Sequence, residues 1–440
     1  MKNLINATPA LLALVLVLPF SGCSPEKTSL PADTEILHRN QDHLTEVIIY
    51  DVFTPPVASR IYVYSSLASY EALRFAAPGN PSIAEKLKGF GKMPQPGSGN
   101  HNFTLAACRA FFTVAHNIKV FSVDSLKTYE ESLFKGFRDN LDDSTYERSV
   151  AFGNLVAQTI LERAKTDGYF QSRGKPRYLG SNDPGKWRPT PPDYMDGVEW
   201  CWNTMKPMVM DSASQFSPAP PPRFSMDTNS YYYKSLLEVY NISKNLTDEQ
   251  RTIATYWDDN PFVIEHSGHL MFANKKITPG GHWMGICAIA AKQSGADAVN
   301  TARAYAMTAI ALYDGFISCW DEKYRSSYVR PVTVINEHID YAWMPLLQTP
   351  PFPEYTSGHS TITASAAEVL TSLFGDNFAF QDTSDLRYIG MQRPFNSFRE
   401  AAAEVSISRV YGGIHYRFSV DIGAEQGRKL GTLINQRLND

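Results

Sequence analysis

The amino-acid sequence predicts an all-α protein. Apolar side chains recur at helical spacing wherever a pattern is clear, and alternating strand patterns are scarce. Of the 440 residues, 43% are hydrophobic and 20% are charged, which is typical of a globular chain with a large buried core. Because 41 basic and 45 acidic residues leave a formal net charge of −4, we expect no nucleic-acid partner. Any basic site must therefore be local.

The first 22 residues have the pattern of an export signal. Lys2 precedes the apolar run 10–20, which is too short to span a bilayer comfortably. The following Phe20-Ser-Gly-Cys23 resembles a bacterial lipobox, in which the cysteine becomes the lipid-bearing first residue. We therefore expect residues 1–22 to be removed and the protein to be attached by lipid to the bacterial envelope, facing the periplasm or the outside. Ordinary secretion is the alternative, and the lipid is the only membrane contact expected.

Four further cysteines are widely spaced along the chain: Cys108, Cys201, Cys287 and Cys319. Without a Cys-x-x-Cys pair, they give no support to a thiolate zinc site or a redox dithiol. In an oxidising compartment they allow one or two disulfides, and three full pairings stay open.

Three helices are predicted with clear boundaries. Residues 145–165 carry an apolar stripe that Asp167-Gly168 ends. Residues 297–320 form a longer apolar surface. A third helix follows Ser357 and ends at Gly375.

Residues 183–223 interrupt the helical pattern with many prolines. Their aromatic side chains predict an ordered excursion over the surface rather than a flexible linker. We take this segment as the end of an N-terminal helical half, 23–223, and place the C-terminal half at 224–440.

Three short segments of the C-terminal half collect cations, histidines and a hydroxyl group. The first runs from Lys323 to Arg330-Pro331, the second is Ser357-Gly358-His359, and the third runs from Ser408-Arg409 to His415. Arginine, lysine, a hydroxyl group and the free N–H groups of a helix start together suit a compact tetrahedral oxyanion. The two histidines remain to bind the central atom and to move protons.

In this order and spacing, the segments resemble the signature of the vanadium-dependent haloperoxidases. The same pattern of Lys, six residues, Arg-Pro, then Ser-Gly-His, then Ser-Arg, five residues, His is shared with type 2 phosphatidic acid phosphatases and bacterial acid phosphatases. The match covers residues 323–415. The resemblance narrows the predicted fold to two packed four-helix bundles, with the anion site in the C-terminal one.

The resemblance also implies the cofactor and the reaction. Vanadate would be bound by one set of residues: Lys323, Arg330, Ser357, Gly358, His359, Arg409 and His415. His415 would bond to vanadium, His359 would act as general acid or base, and Lys323 would polarise the bound oxidant. Hydrogen peroxide would oxidise a halide to hypohalous acid, which can pass to an organic acceptor.

The sequence departs from the family pattern at two positions. The family often has an Asp four residues after the last His, where this chain has Ser419 and then Asp421. The sequence therefore does not specify which residue forms a hydrogen bond with His415. Thr356 replaces the usual Pro before Ser-Gly-His, which we expect to be tolerated because the donors follow it.

The halide is predicted from less specific features. Phe352 lies five residues before Ser357, a position at which this chain resembles fungal chloroperoxidases. By contrast, residues 411–419 and Asp258-Asp259-Asn260-Pro261 resemble bacterial iodoperoxidases. Since iodide is also the easiest halide to oxidise, we expect an iodide peroxidase. Trp257 and Phe262, with Phe352, are the expected aromatic residues of the halide pocket.

Two other functions compete with this one. A soluble acid phosphatase of the same superfamily would use His415 as nucleophile and His359 to protonate the leaving group. A surface lipoprotein without catalytic activity would bind a glycan or an anion through Trp200, Trp202 and Tyr231–Tyr233. We favour the interpretation that these aromatic side chains pack against the helical core.

A further group of polar side chains precedes the main segments. His266, His269 and His282 raise the hypothesis of a second metal site, although we favour a supporting role at the main pocket. One of three acidic residues is expected to pair with an arginine of the site: Asp258, Asp259 or Glu265.

Overall fold

A computed structural model describes residues 29–118, 120–267, 270–273 and 275–439, with side chains outside 264–274. The predicted export signal and the lipid attachment at Cys23 lie outside these residues. Within them, no helix is both long enough and apolar enough to cross a membrane.

Helices dominate the described structure, which confirms the all-α prediction. Helices α1 to α15 are Asp33–Tyr50, Pro55–Leu73, Phe103–Asn117, Val123–Asn140, Asp143–Lys165, Tyr169–Ser172, Tyr231–Lys244, Asp248–Tyr256, Pro279–Ser294, Ala298–Ser326, Pro331–His338, Gly358–Phe374, Leu386–Ile389, Phe398–Tyr411 and Arg417–Asn439. Two small antiparallel hairpins join them, formed by β1 Ile264–Ser267 with β2 Leu270–Ala273 and by β3 Phe380–Asp382 with β4 Arg393–Phe395.

The three predicted helices are present and have local capping signals. The Asp142 side chain accepts a hydrogen bond at the start of α5, and Asp297 does the same at the start of α10. Helix α10 continues to Ser326, beyond the predicted end, and so includes the first cation of the site. Ser357 caps α12, and Gly375 follows its last residue.

The helices pack as two connected groups. Helix α2 packs against α3 and α5, whereas α12 packs against α14 and α15. Helix α10 contacts α2 on one side and α12 on the other, so one long buried helix joins both bundles. Because the site is built from the ends of α10, α12 and α14, rigid packing fixes its geometry.

The proline-rich segment 183–223 is ordered and contains no α-helix, as predicted. Trp202 is completely buried, and so is Tyr232 further on, so neither can serve as a surface anchor for a ligand. The Val198 carbonyl accepts hydrogen bonds from Trp320 Nε1 at 3.2 Å and from the Tyr324 hydroxyl at 2.6 Å. The segment is thereby attached to the helix that carries Lys323.

The cysteines of the described chain form no disulfide. All four are free and buried. The disulfides allowed by the sequence are therefore not formed, because each thiol is separately packed, as Cys108 is against the Asn40 amide at 3.3 Å.

Candidate active site

Lys323 lies in the last turns of α10 and is completely buried. Its Nζ donates hydrogen bonds to the carbonyl oxygens of Pro353 at 2.9 Å and Glu354 at 3.0 Å. Two of its three N–H groups are thus occupied, and one remains for a ligand. Burial lowers the pKa of Lys323 to about 7, and nearby Arg330 contributes in the same direction.

Arg330 immediately precedes α11 and is also completely buried. Its Nε donates to the Phe352 carbonyl at 3.0 Å, and its Nη1 donates to the Ile414 carbonyl at 2.8 Å. Its Nη2 has no hydrogen-bond partner among the described residues. Burial lowers the pKa of Arg330 to about 10, and the charge of Arg409 adds to this effect.

Arg409 supplies the third cation from the last turn of α14. Its guanidinium donates to the backbone carbonyls of Trp257 and Asp258. Its buried Nε finds no partner in the part of the chain that the structure describes. Burial lowers the pKa of Arg409, as expected for a cation without a directly bound carboxylate.

The start of α12 adds neutral donors to these cations. The Ser357 Oγ accepts from the Ser360 backbone N–H at 3.3 Å and from the Ser360 hydroxyl at 3.0 Å. Its own hydrogen therefore stays available for a third group. A Cβ on Gly358 would lie 3.8 Å from the Cε of Lys323, so the helix start closely approaches this side chain. Free N–H groups of the first turn and the helix dipole favour an anion here.

The imidazole of His359 interacts with the backbone carbonyl of Asp258, which favours the protonated ring. Its buried Nε2 has no partner among the residues that the structure describes. Burial lowers the pKa of His359 well below its usual value, with a further contribution from Arg409. The imidazole is therefore neutral, and Nε2 can accept a proton.

His415 is oriented by a carboxylate that the sequence analysis missed. Its Nδ1 donates to Glu354 Oε1 at 2.7 Å, and the Tyr416 backbone N–H donates to the same oxygen at 3.0 Å. Its Nε2 accepts from Arg330 Nη1 at 3.1 Å. Burial and then the charges of Arg330 and Lys323 lower the pKa of His415 well below its usual value. The ring is thus neutral, with its lone pair on Nε2.

Glu354, rather than Ser419 or Asp421, is the hydrogen-bond partner of the His415 side chain. Asp421 is exposed and interacts with Arg417, so it does not orient His415. The Ser419 carbonyl accepts from the Ser357 backbone N–H at 3.2 Å. Burial raises the pKa of Glu354 to about 7, although Arg330 and Lys323 oppose the increase. In the sequence, Glu354 could have been recognised as a carboxylate within the apolar run that precedes Ser357-Gly358-His359.

Of the three predicted aromatic residues, Phe352 lies beside the cations. The centre of its ring is 5.1 Å from Lys323 Nζ and 5.2 Å from Arg330 Cζ. It also packs against Trp320 at a centroid distance of 5.0 Å. Trp320 was not predicted, although it borders both Phe352 and the start of α12.

The other two aromatic residues have different surroundings. The indole of Trp257 is completely buried, stacks on His282 at 4.5 Å and donates to Glu404. Its backbone carbonyl oxygen accepts a hydrogen bond from Arg409, and the place of its ring in the halide pocket stays a prediction. Phe262 is partly buried, and its backbone N–H donates to Asn260 Oδ1 at 3.0 Å.

Two of the predicted acidic partners of the arginines, Asp258 and Asp259, interact with other basic side chains. The Asp258 carboxylate contacts Lys276, and Asp259 contacts His282 Nδ1 at 3.0 Å. Only the Asp258 backbone carbonyl reaches Arg409. The side chains of Glu265, His266 and His269 lie outside the described residues.

Together these groups fit a small oxyanion such as vanadate. Lys323, Arg330 and Arg409 bring three buried basic side chains to the site, and the buried carboxylate of Glu354 interacts with the first two. Unpaired donors on Arg330 and Arg409, the Ser357 hydroxyl and the start of α12 supply hydrogen bonds. An anion with several oxygen atoms satisfies both requirements. The fold and the site therefore define a helical-bundle protein with a buried oxyanion site and two neutral histidines.

Comparisons with known proteins agree with this class. The family model of the VCPO second helical-bundle domain matches residues 338–440. The solved structure of the first bacterial vanadium-dependent iodoperoxidase is 43% identical, with a TM-score of 0.88, over 94% of this chain and 98% of the other. The holo and apo forms of a bacterial vanadium-dependent chloroperoxidase share the fold at 20% and 19% identity, with TM-scores of 0.69 and 0.68. Each of the two comparisons covers 88% of this chain, and 93% and 94% of the respective chloroperoxidase chains.

No curated protein sequence matches the chain. The identity and coverage of the iodoperoxidase comparison show the family. The chain belongs to the vanadium-dependent haloperoxidases, and vanadate is the cofactor of this kind of enzyme.

Proposed function

We propose that this haloperoxidase oxidises iodide with hydrogen peroxide. One peroxide, one iodide and one proton give hypoiodous acid and water. The observation that carries the choice of halide is the 43% identity with a bacterial iodoperoxidase over nearly the full length of both chains. The buried cation site supports the cofactor requirement of the same reaction.

The proposed vanadate-binding residues are Lys323, Arg330, Ser357, Gly358, His359, Arg409 and His415. The three cations balance the negative charge of the oxyanion, while the Ser357 hydroxyl and the Gly358 backbone N–H donate hydrogen bonds. His415 offers the lone pair of Nε2 to vanadium. Vanadate supplies a Lewis-acidic centre at which hydrogen peroxide is activated toward the halide.

His359 is the proposed proton acceptor. Its neutral Nε2, which has no partner among the described residues, takes a proton from incoming hydrogen peroxide. Lys323 has one N–H left after its two bonds to carbonyl oxygens, and its positive charge would favour attack by an anion on the oxidant. Phe352 provides an apolar and polarisable wall for the halide, and Phe262 is the second proposed pocket residue.

The same set of cations, hydrogen-bond donors and histidines would also suit phosphoryl transfer. His415 carries a lone pair on Nε2, which is the requirement for a histidine nucleophile. This second function predicts release of phosphate from a phosphomonoester without vanadate. It therefore gives a clear alternative outcome for the assay of the first function.

The test compares vanadate-free protein with vanadate-loaded protein. We expect peroxide-dependent iodide oxidation only after loading, with iodide preferred over bromide and chloride at equal concentration. Bromide oxidation equal to that of iodide would contradict the proposed specificity. Phosphate release without vanadate, with no halide oxidation after loading, would favour the phosphatase.

We also propose that the protein is exported and carries lipid at Cys23. The sequence Phe20-Ser-Gly-Cys23 after a short apolar run supports this localisation. Labelling with a radioactive fatty acid in a bacterial host should mark the wild-type chain and not Cys23→Ser. An unlabelled wild-type chain in the medium would favour ordinary secretion.

A further inference from the structure

A second cluster of metal-ligating side chains lies near the oxyanion site. His282 is in the first turn of α9, Asp259 follows α8, and Asp385 precedes α13. All three are buried, and one ligand atom from each lies within 4.8 Å of the others. None of them belongs to the proposed vanadate set.

The distances around His282 Nδ1 are those of neighbouring ligands on one ion. The two carboxylate oxygens of Asp259 lie 3.0 and 3.1 Å from Nδ1, and Asp385 Oδ2 lies 3.7 Å from it. Nitrogen and oxygen ligands at about 2.0 to 2.2 Å from a metal ion are about 3 Å apart when they meet at roughly a right angle. A single ion can therefore contact all three side chains after small movements.

The other nitrogen of His282 has the partner that metal-binding histidines usually have. Its Nε2 lies 3.0 Å from Asp382 Oδ2, and the opposite oxygen of Asp382 accepts from the Ser384 backbone N–H at 3.0 Å. With Nε2 protonated and donating to Asp382, the lone pair is on Nδ1 and faces Asp259 and Asp385. This is the carboxylate, histidine and metal arrangement that orients a ligand.

Asp385 gives an independent indication that a cation belongs here. Only 3% of its surface is exposed, and its Oδ1 has no hydrogen-bond partner among the described residues. Asp259, Asp382 and Asp385 bring three carboxylates to one imidazole, while Lys276 contacts Asp258. Burying an unpaired carboxylate is costly unless a cation compensates its charge.

We propose that Asp259, His282 and Asp385 bind one divalent first-row metal ion, Zn²⁺ or Mn²⁺. A site with one imidazole nitrogen and two carboxylates suits these ions. Ca²⁺ takes six or more oxygen ligands, so this mixed set disfavours it. The proposed ion is separate from vanadate and does not take part in halide oxidation.

The position of the cluster indicates what the ion does for the enzyme. Asp259 directly follows Asp258, whose backbone carbonyl accepts a hydrogen bond from Arg409 and interacts with the His359 ring. An ion on the Asp259 carboxylate fixes this segment and thereby the two side chains. The ion therefore acts as a structural support for the site.

The competing occupant of Nδ1 is a proton. Although burial alone would lower the pKa of His282, Asp259 and Asp382 raise it well above the usual value in the absence of an ion. The stacked indole of Trp257, at 4.5 Å, also accommodates an imidazolium. Direct binding measurements distinguish the two occupants.

The experiment uses full-length, chelator-treated protein without vanadate. Zn²⁺, Mn²⁺ and Ca²⁺ are titrated separately by calorimetry, and metal content is then measured after gel filtration. We expect one equivalent of Zn²⁺ or Mn²⁺ per chain, weaker Ca²⁺ binding, and at least ~10-fold weaker binding to Asp385→Asn. Asp143→Asn is the matched control, because its side chain is 92% exposed.

Two results would overturn the proposal. One is a wild-type chain that binds neither Zn²⁺ nor Mn²⁺, which would leave His282 as a buried imidazolium. The other is unchanged affinity in Asp385→Asn, confirmed as folded by circular dichroism. If that variant does not fold, Asp382→Asn takes its place, with the same weakening expected and unchanged affinity counting against the site.

Discussion

Glu354 determines which ring nitrogen of His415 carries the lone pair. Its carboxylate accepts a hydrogen bond from Nδ1–H, so the lone pair is on Nε2, and the nearby charges of Arg330, Lys323 and Arg409 keep the ring neutral. The same residue offers its backbone carbonyl to Lys323 at 3.0 Å. One buried residue thus connects the proposed metal ligand, through its side chain, with the lysine of the site, through its backbone.

Replacing Glu354 by Gln removes the charge and keeps the shape. We expect vanadate affinity to fall roughly 10- to 100-fold, because His415 becomes a weaker base. The dissociation constant for vanadate, measured by calorimetry, checks this. Glu322→Gln is the control, since Glu322 is equally buried, has a pKa raised to about 7 by burial, and pairs with Arg325. Equal affinities in both variants would remove Glu354 from this role.

The lowered pKa of Lys323 predicts a pH dependence of vanadate binding. With the pKa at about 7 in the anion-free site, the ammonium loses its proton as pH rises through this value. Since the anion stabilises the charged form, affinity should fall with rising pH, by at most about tenfold per pH unit. Ionisation of vanadate adds the same slope to every variant. Lys323→Met should therefore bind more weakly but with a flatter profile, and parallel profiles would contradict this account.

His359 is expected to affect turnover more than cofactor binding. His359→Ala should lower kcat for iodide oxidation by roughly 10²- to 10⁴-fold, which is the usual contribution of a general base. Bound vanadium, measured by elemental analysis, should remain near the wild-type amount. His338→Ala controls for loss of a histidine elsewhere, because His338 is partly exposed and pairs with Glu337. Undiminished kcat in His359→Ala would refute the proton-transfer role.

At the scale of helices, the start of α12 depends on its close contact with α15. Three glycines four residues apart face α12: Gly423, Gly427 and Gly431. A Cβ on Gly423 would lie 3.0 Å from the Ser357 carbonyl, and one on Gly427 would lie 2.1 Å from the Thr361 carbonyl. Glycine is needed here because the two backbones approach more closely than any side chain permits.

Gly427→Ala should therefore force α15 away from α12. We expect a loss of about 1 to 3 kcal/mol in the free energy of unfolding from overpacking. Vanadate binding should weaken as well, because α12 carries Ser357 and His359. Denaturant unfolding and calorimetry measure the two effects. Gly97→Ala, where a Cβ meets no atom within 4 Å, should change neither, and a stable Gly427→Ala would show that the contact can relax.

Across the whole molecule, the sequence was sufficient for features that depend on neighbouring residues. Helices α5, α10 and α12 were predictable because their apolar stripes and capping residues lie within each segment. The order of the cation segments predicted the vanadate-binding residues through a family resemblance. The structure then brought their side chains together at the ends of three helices.

Contacts between distant segments were beyond prediction. Glu354 and His415 are 61 residues apart, and His282 and Asp382 are 100 apart. No local pattern specifies such pairs, since they depend on how the helices pack. The stacking of the Trp257 ring on His282 and the contact of its carbonyl with Arg409 could not be predicted for the same reason.

The central claim is that His415 and the buried cations hold vanadate. Its most direct test is the vanadium content of wild type and His415→Ala after loading with vanadate and gel filtration. We predict close to one vanadium per wild-type chain and a background level in the variant, with an unchanged thermal unfolding temperature. A folded variant that retains one vanadium per chain would contradict the claim.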